Sequence, residues 1–138
     1  MKAKITALSA VAGFVLATQG VVAHHSFAAE FDAAKPLALK GIVTKIEWAN
    51  PHTYFYMDVT DADGKVMNWG MEMGSPNGLM RQGWTRNTLH VGDEVTVEGS
   101  QAKDGAHVGN ARVVTLAATG KRLFAASSQT ETPQQQQR

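Results

Sequence analysis

The chain has 138 residues, 13 Lys and Arg against 12 Asp and Glu, and no cysteine. That length fits one small domain with a single core. The near-neutral charge excludes broad nucleic-acid binding, which needs clustered Lys and Arg to neutralise phosphate. The missing cysteine excludes disulfides, thiol catalysis and thiolate metal sites.

Residues 1–23 read as a secretory signal peptide. Lys2 and Lys4 open it, an apolar run from Ile5 to Leu16 follows, and Val21-Val22-Ala23 supplies the small-residue cleavage pattern. The apolar run is shorter than the ~20 residues a membrane-spanning helix needs. Cleavage after Ala23 removes both lysines, turns the formal charge of +1 into −1 and makes His24 the new N-terminus. A periplasmic or secreted location is the expectation, with no membrane contact after cleavage.

Residues 24–36 are small and mixed, and are expected to form an extended arm pinned by Phe27 and Phe31. Residues 37–48 read as a long first strand with Gly41 inside it, a position that often marks a bulge or sharp coil. Asn50-Pro51 breaks it. Residues 53–60 form a second strand, in which Phe55, Met57 and Val59 alternate with Tyr54, Tyr56 and Asp58. Asp61-Ala62-Asp63-Gly64 is a hairpin turn. In the third strand, residues 65–73, Met67, Trp69, Met71 and Met73 share the inner face, while Asn68, Gly70 and Glu72 share the outer one. Ser75-Pro76 opens a short helix over 76–82 that Gly83 ends. Residues 84–90 are irregular, and a turn at 91–93 leads into a fourth strand at 94–99. Gly105 and Gly109 bracket a loop, and a fifth strand covers 111–117. Residues 121–124 add a short final strand, and the Gln-rich 127–138 is a disordered tail.

Three meander strands, a helix and two more strands give an all-β fold, a small five-stranded OB-like barrel spanning residues 37–126 with one short helix between strands three and four. A plain β-sandwich is the competing architecture.

The paired histidines are the sharpest chemical feature. A free N-terminal amine beside imidazoles chelates divalent metals, and imidazole suits copper, nickel and zinc. His24 and His25, joined by His52 at a strand entrance, are the candidate metal ligands, with copper the expected ion. The competing reading makes them exposed residues on an arm. His90 and His107 read as loop residues, and no HxxxH or HExxH spacing indicates a preformed zinc site. Met57, Met67, Met71, Met73 and Met80 include soft ligands for Cu(I), but their strand spacing reads as core filling.

A second candidate surface lies on the usual OB ligand face. Tyr54 and Tyr56, with Asn68 and Glu72 beside them, can stack on or bind a ligand there. Arg81, Trp84 and Arg86 extend it as a basic-aromatic patch. The competing reading has Trp84 plug the end of the barrel while the arginines pair with Glu72 or Asp93. No nucleophile–base pattern, P-loop or dinucleotide fingerprint occurs. A monomeric, non-enzymatic binding module is therefore expected, with a metal ion, a small molecule or another protein as its partner.

Several motifs resemble a family. They are His24-His25-Ser26-Phe27, Glu47-Trp48 with Asn50-Pro51-His52, Glu72-Met73-Gly74-Ser75-Pro76-Asn77-Gly78-Leu79, and Gly83-Trp84-Thr85. Gly92-Asp93, Val95, Val97 and Gly99 follow in the same pattern. Together they resemble a family of small exported bacterial proteins known only as a domain of unknown function. The resemblance covers nearly all of the chain after residue 23 except the Gln-rich tail. It implies export and a shared compact β fold, and no activity.

Overall fold

The computed structural model describes residues 27–126. The expected signal peptide, His24, His25 and the Gln-rich tail lie outside these residues. In chain order the elements are α1 (Phe27–Glu30), β1 (Phe31–Glu47), β2 (Tyr54–Thr60), β3 (Val66–Glu72), α2 (Pro76–Arg81), β4 (Glu94–Ala102), β5 (Val108–Leu116) and β6 (Arg122–Phe124).

The strands form one antiparallel sheet in the order β3-β2-β1-β4-β5-β6. A short parallel pairing of β3 with β5, Gly70↔Val108 to Glu72↔Asn110, joins the two sides into a closed ring. The ring runs β1-β2-β3-β5-β4, and α2 lies between β3 and β4 in the chain, as expected for an OB-like fold. β1 makes closure possible because it serves two neighbours. Its residues up to Ile42 pair with β4, and those from Ile42 onward pair with β2. Gly41 sits at this hand-over, where a Cβ would stand 2.5 Å from the Asp58 carbonyl oxygen. Only glycine admits that approach.

Alternation fills the interior. Phe55, Met57 and Val59 from β2, Trp69 and Met71 from β3, and Met73 just beyond β3 meet Val95, Val97 and Val114 in one core. Met57, Met71 and Met73 are buried packing residues, as their spacing indicates. α2 begins where Ser75 Oγ accepts the Gly78 N–H at 3.1 Å and Pro76 occupies the first turn. The helix drops Leu79 into the core.

Three expectations change. Residues 24–36 are not a free arm over their described part. Phe27–Glu30 is one helical turn, and residues 31–36 belong to β1. Phe31 is only 3% exposed and stacks on Phe27 with ring centroids 5.7 Å apart. An irregularity between Asp32 and Pro36 lets the strand continue past the proline, from Asp32↔Gln101 to Pro36↔Ser100. β5 starts at Val108, so Gly109 is a strand residue and not a loop end. A Cβ on Gly109 would meet Leu37 Cδ2 at 2.6 Å and Met71 Cε at 2.9 Å, so β5 packs tightly over the core there. Trp84 is the third and belongs with the site.

Candidate functional site

One row of residues crosses the ring at its polar end. Glu47 is opposite Tyr54, Tyr54 is opposite Glu72, and Glu72 is opposite Asn110. Because Phe55 and Met71 point inward, Tyr54 and Glu72 point outward, as their alternation requires. Glu72 is nevertheless only 5% exposed. Chain segments remote in sequence cover it. The Lys103 N–H donates to the Glu30 carbonyl at 2.9 Å, and Lys103 Nζ donates to the Ala28 carbonyl. These bonds clamp the β4–β5 turn to α1. Between that clamp and the β2–β3 face lies a cleft of about 420 Å³. Glu30, Phe31, Tyr54, Glu72, Lys103 and Val108 are among its lining residues.

Two groups hold the Glu72 carboxyl. Tyr54 Oη donates to Oε2, and His52 Nδ1 lies 3.0 Å from Oε1. His52 reaches it because the β2–β3 pairing runs on past the strand ends. Thr53 N–H donates to the Gly74 carbonyl at 3.0 Å, and Met73 N–H donates to the Thr53 carbonyl at 2.8 Å. Burial raises the Glu72 pKa above the ordinary carboxyl range. The Tyr54 hydrogen bond and the His52 charge pull it back, and the nearby Glu30 pushes it up again. Burial, followed by the Glu72 hydrogen bond, raises the Tyr54 pKa. A carboxylate facing Nδ1 selects the imidazole tautomer protonated there, which leaves the Nε2 lone pair available to a ligand.

Tyr56, one step along the same face, is engaged differently. Its hydroxyl lies 3.4 Å from Glu47 Oε2, and Lys45 Nζ sits 5.3 Å above its ring. Lys45 donates to Glu47 and lowers its pKa, while Glu47 raises that of Lys45. The Tyr56 ring lies over Gly70, where a Cβ would meet Cε1 at 3.2 Å. It does not line the cleft.

The expected basic-aromatic patch loses its aromatic member. Trp84 is 2% exposed, and its Nε1–H donates to the Phe124 carbonyl at 2.8 Å, so it closes the core and offers no ligand surface. Arg81 and Arg86 are exposed. Among the described residues they pair with neither Glu72, which takes His52 and Tyr54, nor Asp93, whose carboxylate accepts the His90 N–H at 2.8 Å. His107 stacks on Trp69 at 5.0 Å. Among the described residues no group of three His, Asp or Glu side chains is arranged to hold a metal ion. The predicted ligands His24 and His25 lie outside those residues. His52 is the described member of the predicted triad, and it stands against Glu72.

Sequence reasoning passed over Glu30, Phe31, Lys103 and Val108. The available signal was topological. In an OB-like ring the β1–β2 and β4–β5 loops flank the ligand face. Here they carry His52 and residues 103–107.

Fold and site together define an OB-like β protein with a buried carboxyl between its two ligand-face loops. The chain belongs to DUF6152, a family of unknown function whose model matches residues 12–111. That span contains every residue that lines the cleft. No curated protein and no solved structure matches the chain.

Proposed function

We propose that this protein is an exported, non-enzymatic binding module for a divalent transition metal, with copper as the ion. His52, His24 and His25 supply its imidazoles. The observation that carries this reading is the His52–Glu72 contact of 3.0 Å. A buried carboxylate that fixes one imidazole nitrogen while the other keeps its lone pair is the usual support of a metal-ligating histidine. The chain's own order supplies the rest. His24 and His25 come three and two residues before Phe27, and α1, which starts at Phe27, leads into the cleft wall at Ala29 and Glu30. Cleavage after Ala23 would add a free amine to the donor set. The absence of cysteine leaves imidazole and amine as the nitrogen donors that suit Cu(II).

Intact mass of the exported protein, followed by copper titration calorimetry, tests the reading. The expected mass is that of a chain beginning at His24, with one Cu(II) bound. Replacing both His24 and His25 with alanine should abolish tight binding and leave the melting temperature of the metal-free protein nearly unchanged. Affinity should fall as pH drops through ~6.5, where imidazole protonates. A mass that retains Met1 overturns export, and equal copper binding by wild type and double variant overturns the ligand assignment.

A further inference from the structure

The cleft beside Tyr54 has a chemistry that the metal reading does not use. We infer that it binds a small organic cation, a primary ammonium carried on a compact apolar body. Its volume, about 420 Å³, lies within the range of small-ligand sites, roughly 300–1,000 Å³. The walls divide by character. Ala29, Phe31, Ala102, Ala106 and Val108 give an apolar surface, while Glu30 and Glu72 bring carboxyl groups. Asp104 adds a third acid, and its Oδ1 accepts the Ala106 N–H at 2.9 Å within the turn. The lining has one cation, Lys103, whose ammonium is engaged with the Ala28 carbonyl.

The charge balance of the cleft is therefore negative, and its most buried charge-bearing group is Glu72. Desolvation makes that group costly to ionise. An ammonium against it returns the lost solvation as a charge-assisted hydrogen bond. An anion would meet Glu30 and Glu72 with like charge, and a neutral ligand would leave the carboxyl uncompensated. The body of the ligand would rest against Phe31 and Val108. The site shares Glu72 with the proposed metal centre but none of the histidines, so the two readings stand or fall separately.

Three probes of one shape test the charge. 2-Phenylethylamine, 2-phenylethanol and phenylacetate are each titrated into the processed chain and followed by calorimetry. The amine should bind saturably, the alcohol at least tenfold more weakly, and the acid not measurably. Glu72→Gln, nearly isosteric, should weaken the amine at least tenfold. Ala106→Trp should fill the cleft and abolish amine binding while the copper isotherm of the same variant stays unchanged. Thermal melts confirm that both variants fold. Equal affinity for all three probes, or amine binding that survives Ala106→Trp, overturns the inference. Amine binding that emerges only on deletion of residues 24–26 also overturns it, because the chain's own N-terminus is then the occupant. Copper binding without amine binding sinks this inference alone, and amine binding without copper binding sinks the metal reading alone.

Discussion

Glu47 and Glu72 flank the same tyrosine in one row across three strands, yet their carboxyl groups behave in opposite ways. Glu47 is reachable by Lys45, which donates to it and lowers its pKa. Glu72 lies under α1 and the β4–β5 turn, and burial raises its pKa. Their partners on the face differ in parallel. Tyr56 belongs to the exposed Lys45–Glu47 group, whereas Tyr54 donates into the covered carboxyl. Strand position sets which way a side chain points. What lies over it sets whether it can be a site, and here the cover comes from chain segments about 40 residues before and 30 residues after Glu72.

Charge reversal should separate the two ends most sharply. Glu72→Lys leaves His52 and Tyr54 facing a buried ammonium, and breaking such a buried charge arrangement costs about 3–5 kcal/mol. Glu47→Lys meets solvent and Lys45, and its melting midpoint should stay close to that of wild type. Urea melts of the two variants check this. Similar losses in both would mean that Glu72 is no more covered than Glu47.

Much of this contrast is legible in the sequence, and its decisive part is not. Period-two alternation places Phe55, Met57 and Val59 inside and Tyr54, Tyr56 and Glu72 outside. Ser75-Pro76 and Gly83 bracket the helix, whose C-terminal Gly83 has φ +94°. Alternation says nothing about a second layer. Glu72 therefore reads as open surface, although residues 27–31 and 102–108 fold across it. Trp84 fails for the same reason. Flanked by Arg81 and Arg86 it looks like a surface patch, but its burial depends on the Phe124 carbonyl, 40 residues later. Residues 31–36 read as an arm because Pro36 interrupts the pattern, and only pairing with β4 shows that the strand passes through it.

Removing single hydroxyls should give a smaller contrast of the same sign. Tyr54→Phe takes a donor from a buried carboxyl and should cost about 1–3 kcal/mol. Tyr56→Phe loses a 3.4 Å contact with an exposed carboxylate and should change stability by about 0.5 kcal/mol or less. Equal losses in a denaturant melt would place the two hydroxyls in equivalent surroundings and remove the distinction between the row's ends.

The smallest effect is a pH dependence, and its sign distinguishes the two glutamates. The Glu72 pKa is raised in the folded state, so between the ordinary carboxyl value and that raised value the native chain holds more protons than the unfolded one. Stability then falls as pH rises through this window, because the slope of the unfolding free energy follows the excess of protons on the unfolded state, here negative. Glu47 is lowered, so its contribution is present above the ordinary carboxyl range and is lost as pH falls below it. Glu72→Gln has no proton to lose at this position. Relative to wild type, it should therefore gain stability as pH rises from the ordinary carboxyl range upward. Glu47→Gln should instead lose ground relative to wild type over the range in which Glu47 ionises. Added salt should shrink the Glu47 effect, whose pair with Lys45 is exposed, and leave the Glu72 effect largely intact. Paired urea melts across pH at low and high salt measure both. A Glu72→Gln difference that runs the other way would show that the His52 and Tyr54 contacts outweigh burial, and that the carboxyl is held as a settled anion with nothing left for a cation to compensate.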